Sequence, residues 1–493
     1  MHHYTWVEMA DFSGGMWTSQ DWQVPQNGAA LLEDCYPLPQ GGLRAFGRFS
    51  TLTNTGISVD EEPIAIWVED HVGGSDYFLI TNTGTAQKLY RMNESAGATS
   101  WSALKTFTLT GEYSAQAYFA SYQLAAETEP HIYLTIGATG SDKGLWRVHY
   151  STGVVSRPTI TTTATTTATL TGPICVHQDR LVIAEEFSQI WFTNPGVETI
   201  GDTNFIEVAS SYRLSTITFM HPFRPNDLLV ATRGAPWFLV QDDLTDPIIR
   251  SMGNVRHAAS RQIPCETDAG IVFQAILDGV YATPDGAQFT KLSEPISVED
   301  LWGDVGDELV SQPGSLAYLD NWLFTPSGHI FDTRTQAWFR ITDWTTAQSA
   351  FALVANKHRS SHLLIAAIEP SSGAAATLRT LRPLESGMDR KRSYRYQSPP
   401  FHDDSGRQIE IGEVHVVCKT YNTASSCEVT VNGVTRTTNN LTQGRIVVPS
   451  MFRERDGQLD ITIEMDSGSN TVEAPSIESI RVGVLKGHLL RTG

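Results

Sequence analysis

Apolar residues fall in short blocks rich in Val, Ile, Leu, Tyr, Phe and Trp, bounded by Gly, Pro, Asn and Asp. A helical 3.6-residue apolar rhythm is almost absent, so the pattern is that of strands and turns. Two stretches, "NGAALLEDCY" (27–36) and "SVEDLWGDVGDEL" (297–309), each predict a helical turn or two. The rest reads as an all-β protein.

The strands come in pairs. First members begin at Tyr77 ("YFLI"), His131 ("HIYLTIG"), Arg180 ("RLVIAEE"), Asp227 ("DLLVATR"), Ile271 ("IVFQAI"), Trp322 ("WLFTP") and His362 ("HLLIAAIE"). Their partners are "KLYRM", "GLWRVHY", "QIWFTN", "APWFLV", "GVYATP", "HIFDTR" and "ATLRTL". The starts advance by 54, 49, 47, 44, 51 and 40 residues. Such a period, with several strands per repeat, predicts a β-propeller of about seven blades, because radial stacking buries the apolar sheet faces that a lone blade would expose. A sandwich array or a solenoid would also place strand pairs at intervals. The stretch "TITTTATTTATLTG" (159–172) reads as a solvent-facing strand or as a connector between blades. From Ile409 onward five alternating strands with hairpin turns such as "VNGV" predict a small β-sandwich. The expected organisation is an amino-terminal segment over 1–60, a propeller-like domain over 61–400 and a sandwich over 401–493.

Charge narrows the function. The chain has 54 acidic and 35 basic residues, a net charge of −19. A groove that grips nucleic acid needs clustered Lys and Arg, whereas a negatively walled pore lets DNA slide without sticking. The five cysteines (Cys35, Cys175, Cys265, Cys418, Cys427) show no CxxC spacing. They read as free thiols of a reducing cytosol. No apolar run is long enough to span a membrane, and the start carries no secretory pattern.

Each candidate chemistry has a plainer alternative. "DFSGGMWT" (11–18) raises the possibility of a phosphate loop, but lacks the Lys, the third glycine and the following helix. Gly14 and Gly15 therefore read as a bend with φ > 0, anchored by Phe12 and Trp17. In "CVHQD", a strand would put Cys175, His177 and Asp179 on one face, yet no second element offers further ligands. Glu185 and Glu186, Asp242, Asp243 and Asp246, and Asp403 and Asp404 are carboxylates that a glycosidase could use, but they sit on opposite strand faces or in turns. The basic run Arg390, Lys391, Arg392 and Arg395, interleaved with Tyr394 and Tyr396, reads as a solvated strand or a subunit contact before nucleic-acid binding. The tryptophans read as blade core first and sugar platforms second. The expectation is no catalytic residue, no cofactor and no metal, in a protein that is not an enzyme.

Taken together, Phe12 to Met16 ("FSGGM"), the following "VPQNGAALLEDCYPLPQGGLRAFGRFS" and the "YQSPPF" step at Tyr396 to Phe401 resemble the tail nozzle or tubular tail proteins of short-tailed bacteriophages. Asp34 stands where that family often has Asn, and Arg44 to Gly47 replaces a tighter Arg-x-Gly. The resemblance implies a β-propeller in a self-assembled ring, usually of six copies, below the portal and adaptor proteins. Such a ring extends the channel for double-stranded DNA, which passes without specific binding, and carries fibres or spikes. It also implies assembly in the host cytoplasm and residence in the virion tail. A glycan-binding or glycan-cleaving propeller at the tail tip is the alternative.

Overall fold

The computed structural model describes residues 5–19, 25, 27–52, 56–71, 74–83, 85–93, 100–108, 117–137, 140–160, 165–185, 189–208, 217–232, 237–252, 264–275, 278–302, 316–343, 350–356, 363–368, 375–381, 390–399, 410–419, 425–439, 445–455, 458–465, 474 and 476–485. Among them, seven consecutive antiparallel units build the propeller. Blades 1 to 6 run over residues 62–108, 117–156, 174–207, 217–251, 265–291 and 317–340, with four strands each. Blade 7 has three strands in sequence, Ala350–Asn356, Leu363–Ile368 and Thr377–Leu381, and takes its fourth, Ser50–Leu52, from the amino-terminal segment.

The second strand of a blade is buried on both faces, as in His131–Ile136 and Asp227–Thr232, which is why it reads as a nearly unbroken apolar run. In blade 1, Phe78 and Ile80 point toward blade 2 and pack with Phe119, Ile132 and Leu134. The alternating Tyr77 and Leu79 point the other way, onto Ile365 and Leu378 of blade 7. The same division recurs around the ring: blade 2 meets blade 3 through Tyr133 and Ile183. Blade 3 meets blade 4 through Val182 and Val230, and blade 4 meets blade 5 through Trp237 and Phe273, whose ring centroids are 4.5 Å apart. Period-two alternation thus serves two neighbours from one strand. Outer strands are wetter, and Ile248–Ser251 of blade 4 is exposed throughout. The seven strand pairs legible in the sequence are the second and third strands of the blades.

The sandwich has two sheets. One joins Arg445–Arg455, Glu410–Lys419 and Ser476–Leu485 to the amino-terminal strands Leu43–Ala45 and Cys35–Pro37, with Thr5–Met9 also pairing to Ser476–Leu485. The other is continuous with blade 6. Its strand order runs from the blade's outer strand Ala337–Arg340 through Leu31–Glu33, Ser393–Gln397 and Leu459–Met465 to the hairpin Ser425–Val431 and Val434–Asn439. Asn432 and Gly433 turn that hairpin at φ 47° and 78°, as the "VNGV" signal requires. Val414, Val416, Ile480 and Val482 face Val429, Ile461 and Ile463 in a core shared with blades 5 to 7. The carboxyl-terminal part thus carries six strands where the sequence suggests five, because "SCEVTVNGVTRTT" is itself a hairpin.

Of the helix expected over 297–309, residues 303–309 lie outside the described residues. Val298–Trp302 is helical, capped by Ser297, whose hydroxyl accepts from the Asp300 amide at 3.1 Å. Residues 27–36 instead form three short strands, Gly28–Ala29, Leu31–Glu33 and Cys35–Pro37. Each joins a different sheet, and Asp34 at φ 57° separates the last two, so sheet pairing overrides the local helical tendency. Residues 157–173 link blade 2 to blade 3, and the described part of the Thr-rich stretch forms no strand. All five cysteines are free and buried.

Truncating either face of a middle strand empties one blade interface. Phe78→Ala and Tyr77→Ala should each destabilise by about 3–5 kcal/mol in denaturant unfolding, although they face different neighbours. A second expectation concerns acid. Burial holds His329 of blade 6 neutral and lowers its pKa to about 4. An unfolded histidine titrates near 6.5, so neutral His329 contributes roughly 3 kcal/mol that is fully present above about pH 6.5 and lost as pH falls through 4. His177 and His221, also lowered by burial, act with the same sign. Stability measured against pH should therefore fall between 6.5 and 4, and His329→Gln should flatten that slope.

Candidate functional site at the propeller–sandwich junction

The segment that carries the opening glycines is the lace between propeller and sandwich. Asp11 and Ser13 begin it with a turn: the Ser13 amide donates to Asp11 Oδ1 at 2.9 Å, and the Asn27 side-chain amide donates to Ser13 Oγ at 3.0 Å. That local bonding holds the Asp11 carboxyl below the usual range. Gly14 donates to the Asn27 carbonyl at 3.1 Å, and Gly15 to the Phe12 carbonyl at 3.1 Å. Gly15–Met16 then pairs in parallel with Gly28–Ala29. Phe12 is buried edge-on against Tyr396, with centroids 5.4 Å apart, and the Trp17 indole donates to the Gly14 carbonyl at 2.8 Å.

Neither glycine has room for a side chain. A Cβ on Gly14 would stand 2.8 Å from the Gly28 nitrogen; one on Gly15, at φ 64°, would stand 2.7 Å from the Trp338 nitrogen in blade 6. Both obstacles are backbone, so neither can step aside. No amide constellation for a phosphate forms here, because these donors are spent on chain carbonyls.

Next along the lace, Asp34 joins three elements. Its amide donates to the Arg340 carbonyl and its own carbonyl accepts from the Phe46 amide. Its carboxylate accepts from the amide of Thr342 at 3.0 Å and lies 3.4 Å from Lys391 Nζ, which also pairs with Asp343 at 2.7 Å. Burial outweighs that cation at Asp343 and raises its pKa. Glu33 pairs with Arg340 across the blade 6 edge.

The basic run belongs to this junction. Arg390 is buried and donates to the Ala45 carbonyl at 2.8 Å. Arg395 forms a two-pronged pair with Asp460, one arm at 2.8 Å. Tyr394 and Tyr396 share the opposite, buried face of Ser393–Gln397, while Arg392 precedes that strand in a bend. Arg390, Tyr394 and Tyr396 are therefore internal framework, while Lys391, Arg392 and Arg395 stay partly exposed.

The other sequence candidates are dispersed. Cys175 and His177 lie on one face of Ile174–His177, but Asp179 is the second residue of a tight turn, with Gln178 and Asp179 at φ 51° and 53°. The presumed one-face triplet is thus a pair, because the strand ends before Asp179. Burial raises the Cys175 pKa to about 12, making the thiol inert, and lowers that of His177 against the opposing influence of Asp227. Glu185 accepts from the Trp191 indole at 2.9 Å; Glu186, Asp403 and Asp404 lie outside the described residues. Asp243 accepts from the Thr245 amide at 2.9 Å, and this backbone bond lowers its pKa; Asp246 closes the same turn. These carboxylates serve turns, as Asp does in such contexts. Trp237, Trp338, Trp191, Trp322 and Trp146 are core, and Trp6, 44 % exposed, is the most open of the described tryptophans.

One open cavity of about 420 Å³ borders the lace, between Leu38, Gln40, Gly41 and Arg44 on one side and Ser476 and Glu478 on the other. Its lining carries opposite charges, Arg44 and Glu478.

No family model matches the chain, and no curated protein matches it. Among solved structures, the chain is similar to BamB from Moraxella catarrhalis, at 12% identity and a TM-score of 0.38, over 73% of this chain and 95% of that one. It is also similar to the extracellular domain of the one-component system BT4673 from B. thetaiotaomicron, at 12% identity and a TM-score of 0.40. That match covers 90% of this chain and 61% of the other, so the chain spans about three fifths of that neighbour's length. At these identities neither neighbour's activity transfers to this protein. Among the described residues, no helix is long and apolar enough to cross a membrane.

The lace makes a sharp substitution test. Gly15→Val should abolish soluble expression or lower Tm by many degrees, because a branched side chain meets fixed backbone at positive φ. Gly433→Ala, with nothing within 4 Å of its added carbon, should cost only about 1 kcal/mol of backbone strain. Equal Tm values for the two variants would contradict the assigned geometry.

Proposed function

We propose that the chain is a structural protein of a short-tailed phage virion: a nozzle or tail-tube subunit that assembles into a ring of about six copies. Its ring extends the DNA channel beyond portal and adaptor proteins and carries fibres or spikes on its outer surface. The observation that carries this reading is the amino-terminal segment. The residues that resemble the tail proteins, Phe12 to Met16 and the stretch 24–50, include Leu31–Glu33, which pairs with blade 6, and Leu43–Ala45, which pairs with the sandwich; the adjoining Ser50–Leu52 closes blade 7. The resemblance therefore falls on residues that dictate architecture.

Two further observations support a conduit. The net charge of −19 gives a ring of such subunits an acidic field, which repels DNA and keeps it moving. Glu185 and Asp243, two of the acidic groups considered for glycan chemistry, are taken up by an indole contact and by a turn, which favours a role without catalysis. The tail-tip glycan reading draws no similar support, since the second- and third-strand tryptophans are core.

Negative-stain imaging and mass photometry of the purified protein, alone and with a portal–adaptor complex, test the proposal. The expected outcome is rings of about six copies with a central hole that bind coaxially to the complex. A strictly monomeric protein that fails to bind the complex and retains host glycans would overturn it.

A further inference from the structure

At one end of blade 2, three ligand-type side chains converge that no local motif announces. His131 opens the second strand, His131–Ile136, and His149 ends the third, Gly144–His149; the two are direct cross-strand partners. Glu127 reaches them from the loop that joins the first strand to the second. One ligand atom from each lies within 4.8 Å of the other two. The imidazoles meet edge to face with centroids 4.9 Å apart, and His131 Nε2 contacts the Glu127 carboxylate directly.

Two features separate this group from an incidental surface cluster. First, the scaffold is fixed. The ladder sets both histidines, and the loop is pinned by the Glu127 amide donating to the Leu124 carbonyl and by the Gln123 side chain donating to the Glu127 carbonyl. Second, His131 is 1 % exposed, and its Nδ1 has no hydrogen-bond partner. Nε2 is the ring nitrogen that meets the Glu127 carboxylate, so an ion held between the two side chains takes Nε2 as its ligand atom and leaves Nδ1 as it is.

We propose that Glu127, His131 and His149 form a binding site for a divalent transition-metal ion of the zinc class. Two imidazoles and one carboxylate are a borderline N2O donor set that suits zinc over magnesium or calcium. Tetrahedral zinc places its ligand atoms about 3.4 Å apart. Rotation of the Glu127 side chain, 38 % exposed, brings its oxygen into that range without disturbing the ladder. Its exposed side leaves the fourth position to water. Bound there, the ion ties the first interstrand loop of blade 2 to the end of the third strand. The proposal is independent of the phage assignment.

The test uses full-length protein, stripped with chelator and then given zinc alone. Wild type, His149→Ala and Glu127→Gln are equilibrated with zinc, desalted and analysed for bound metal, with thermal unfolding in parallel. Wild type should retain about one more zinc per chain than either variant, show a zinc-dependent rise in Tm that the variants lack, and bind at least about ten-fold more tightly. Far-UV circular dichroism of the variants checks that they fold. Both substitutions lie outside the fully buried core, and a variant that unfolds is replaced by His149→Gln. Equal zinc in wild type and folded variants, as binding by other histidines would give, overturns the proposal, as does a wild type that retains none.

Discussion

Every blade of this protein has an apolar surface on each side, and that constraint organises everything else. A middle strand such as Gly74–Asn82 directs Phe78 and Ile80 to one neighbour and Tyr77 and Leu79 to the other. No blade can end the series without exposing such a face to water, so the ring has to close. Closure falls to Ser50–Leu52, which pairs with Thr377–Leu381 more than three hundred residues later. A segment that precedes blade 1 in the chain thus completes the last blade. It is already committed to the sandwich through Leu43–Ala45 and to blade 6 through Leu31–Glu33. Propeller closure and sandwich assembly therefore depend on one shared segment and on contacts of very long sequence separation.

This arrangement explains which parts of the fold could be read from the sequence. Second strands carry nearly unbroken apolar runs because both faces are buried, and each is followed by a third strand with fewer apolar positions, so the seven pairs and their period stand out. First strands mix polar and apolar residues, as in "EPIAIWVEDH" and "ITFMHPFR", and fourth strands such as "IIRS" are exposed. Neither kind announces itself by hydropathy. The lace is harder still: its strands are two or three residues long, below any useful window, and they exist only because distant sheets present free edges. "NGAALLEDCY" carries adjacent leucines, alanines and acidic groups that suit a helix locally, yet the ladder partners on either side of Leu31–Glu33 outweigh that preference.

Site chemistry was legible where it depended on backbone geometry and hidden where it depended on pairing. The glycine pair at 14 and 15 reads as a bend from composition alone, because glycines without the accessories of a phosphate loop have little else to do. "CVHQD" misleads for the opposite reason: a period-two reading assumes that the strand continues, whereas Gln178 and Asp179 reverse the chain. The basic run around Arg392 looks solvated in sequence because its acidic partners, Asp34, Asp343 and Asp460, are dozens to hundreds of residues away. His131 and His149 are hidden in the same way, since each alone is an unremarkable strand-end histidine and only the register between two strands makes them neighbours.

The distribution of these pairs also bears on how the protein meets other charged molecules. Lys88, Arg91, Arg147, Lys291, Arg340, Lys391 and Arg395 all contact carboxylates of the same chain. A cation so engaged does not release condensed counterions from a nucleic acid as a free one would, because its charge is already compensated. With acidic residues in excess by nineteen, internal pairing leaves the unpaired remainder predominantly negative. The net charge of −19 therefore gives the subunit a negative mean field, which disfavours adhesion of a polyanion. Repulsion of this kind falls off with salt over a Debye length of about 8 Å at physiological ionic strength. It therefore acts only at close range, which is the range the proposed conduit would need.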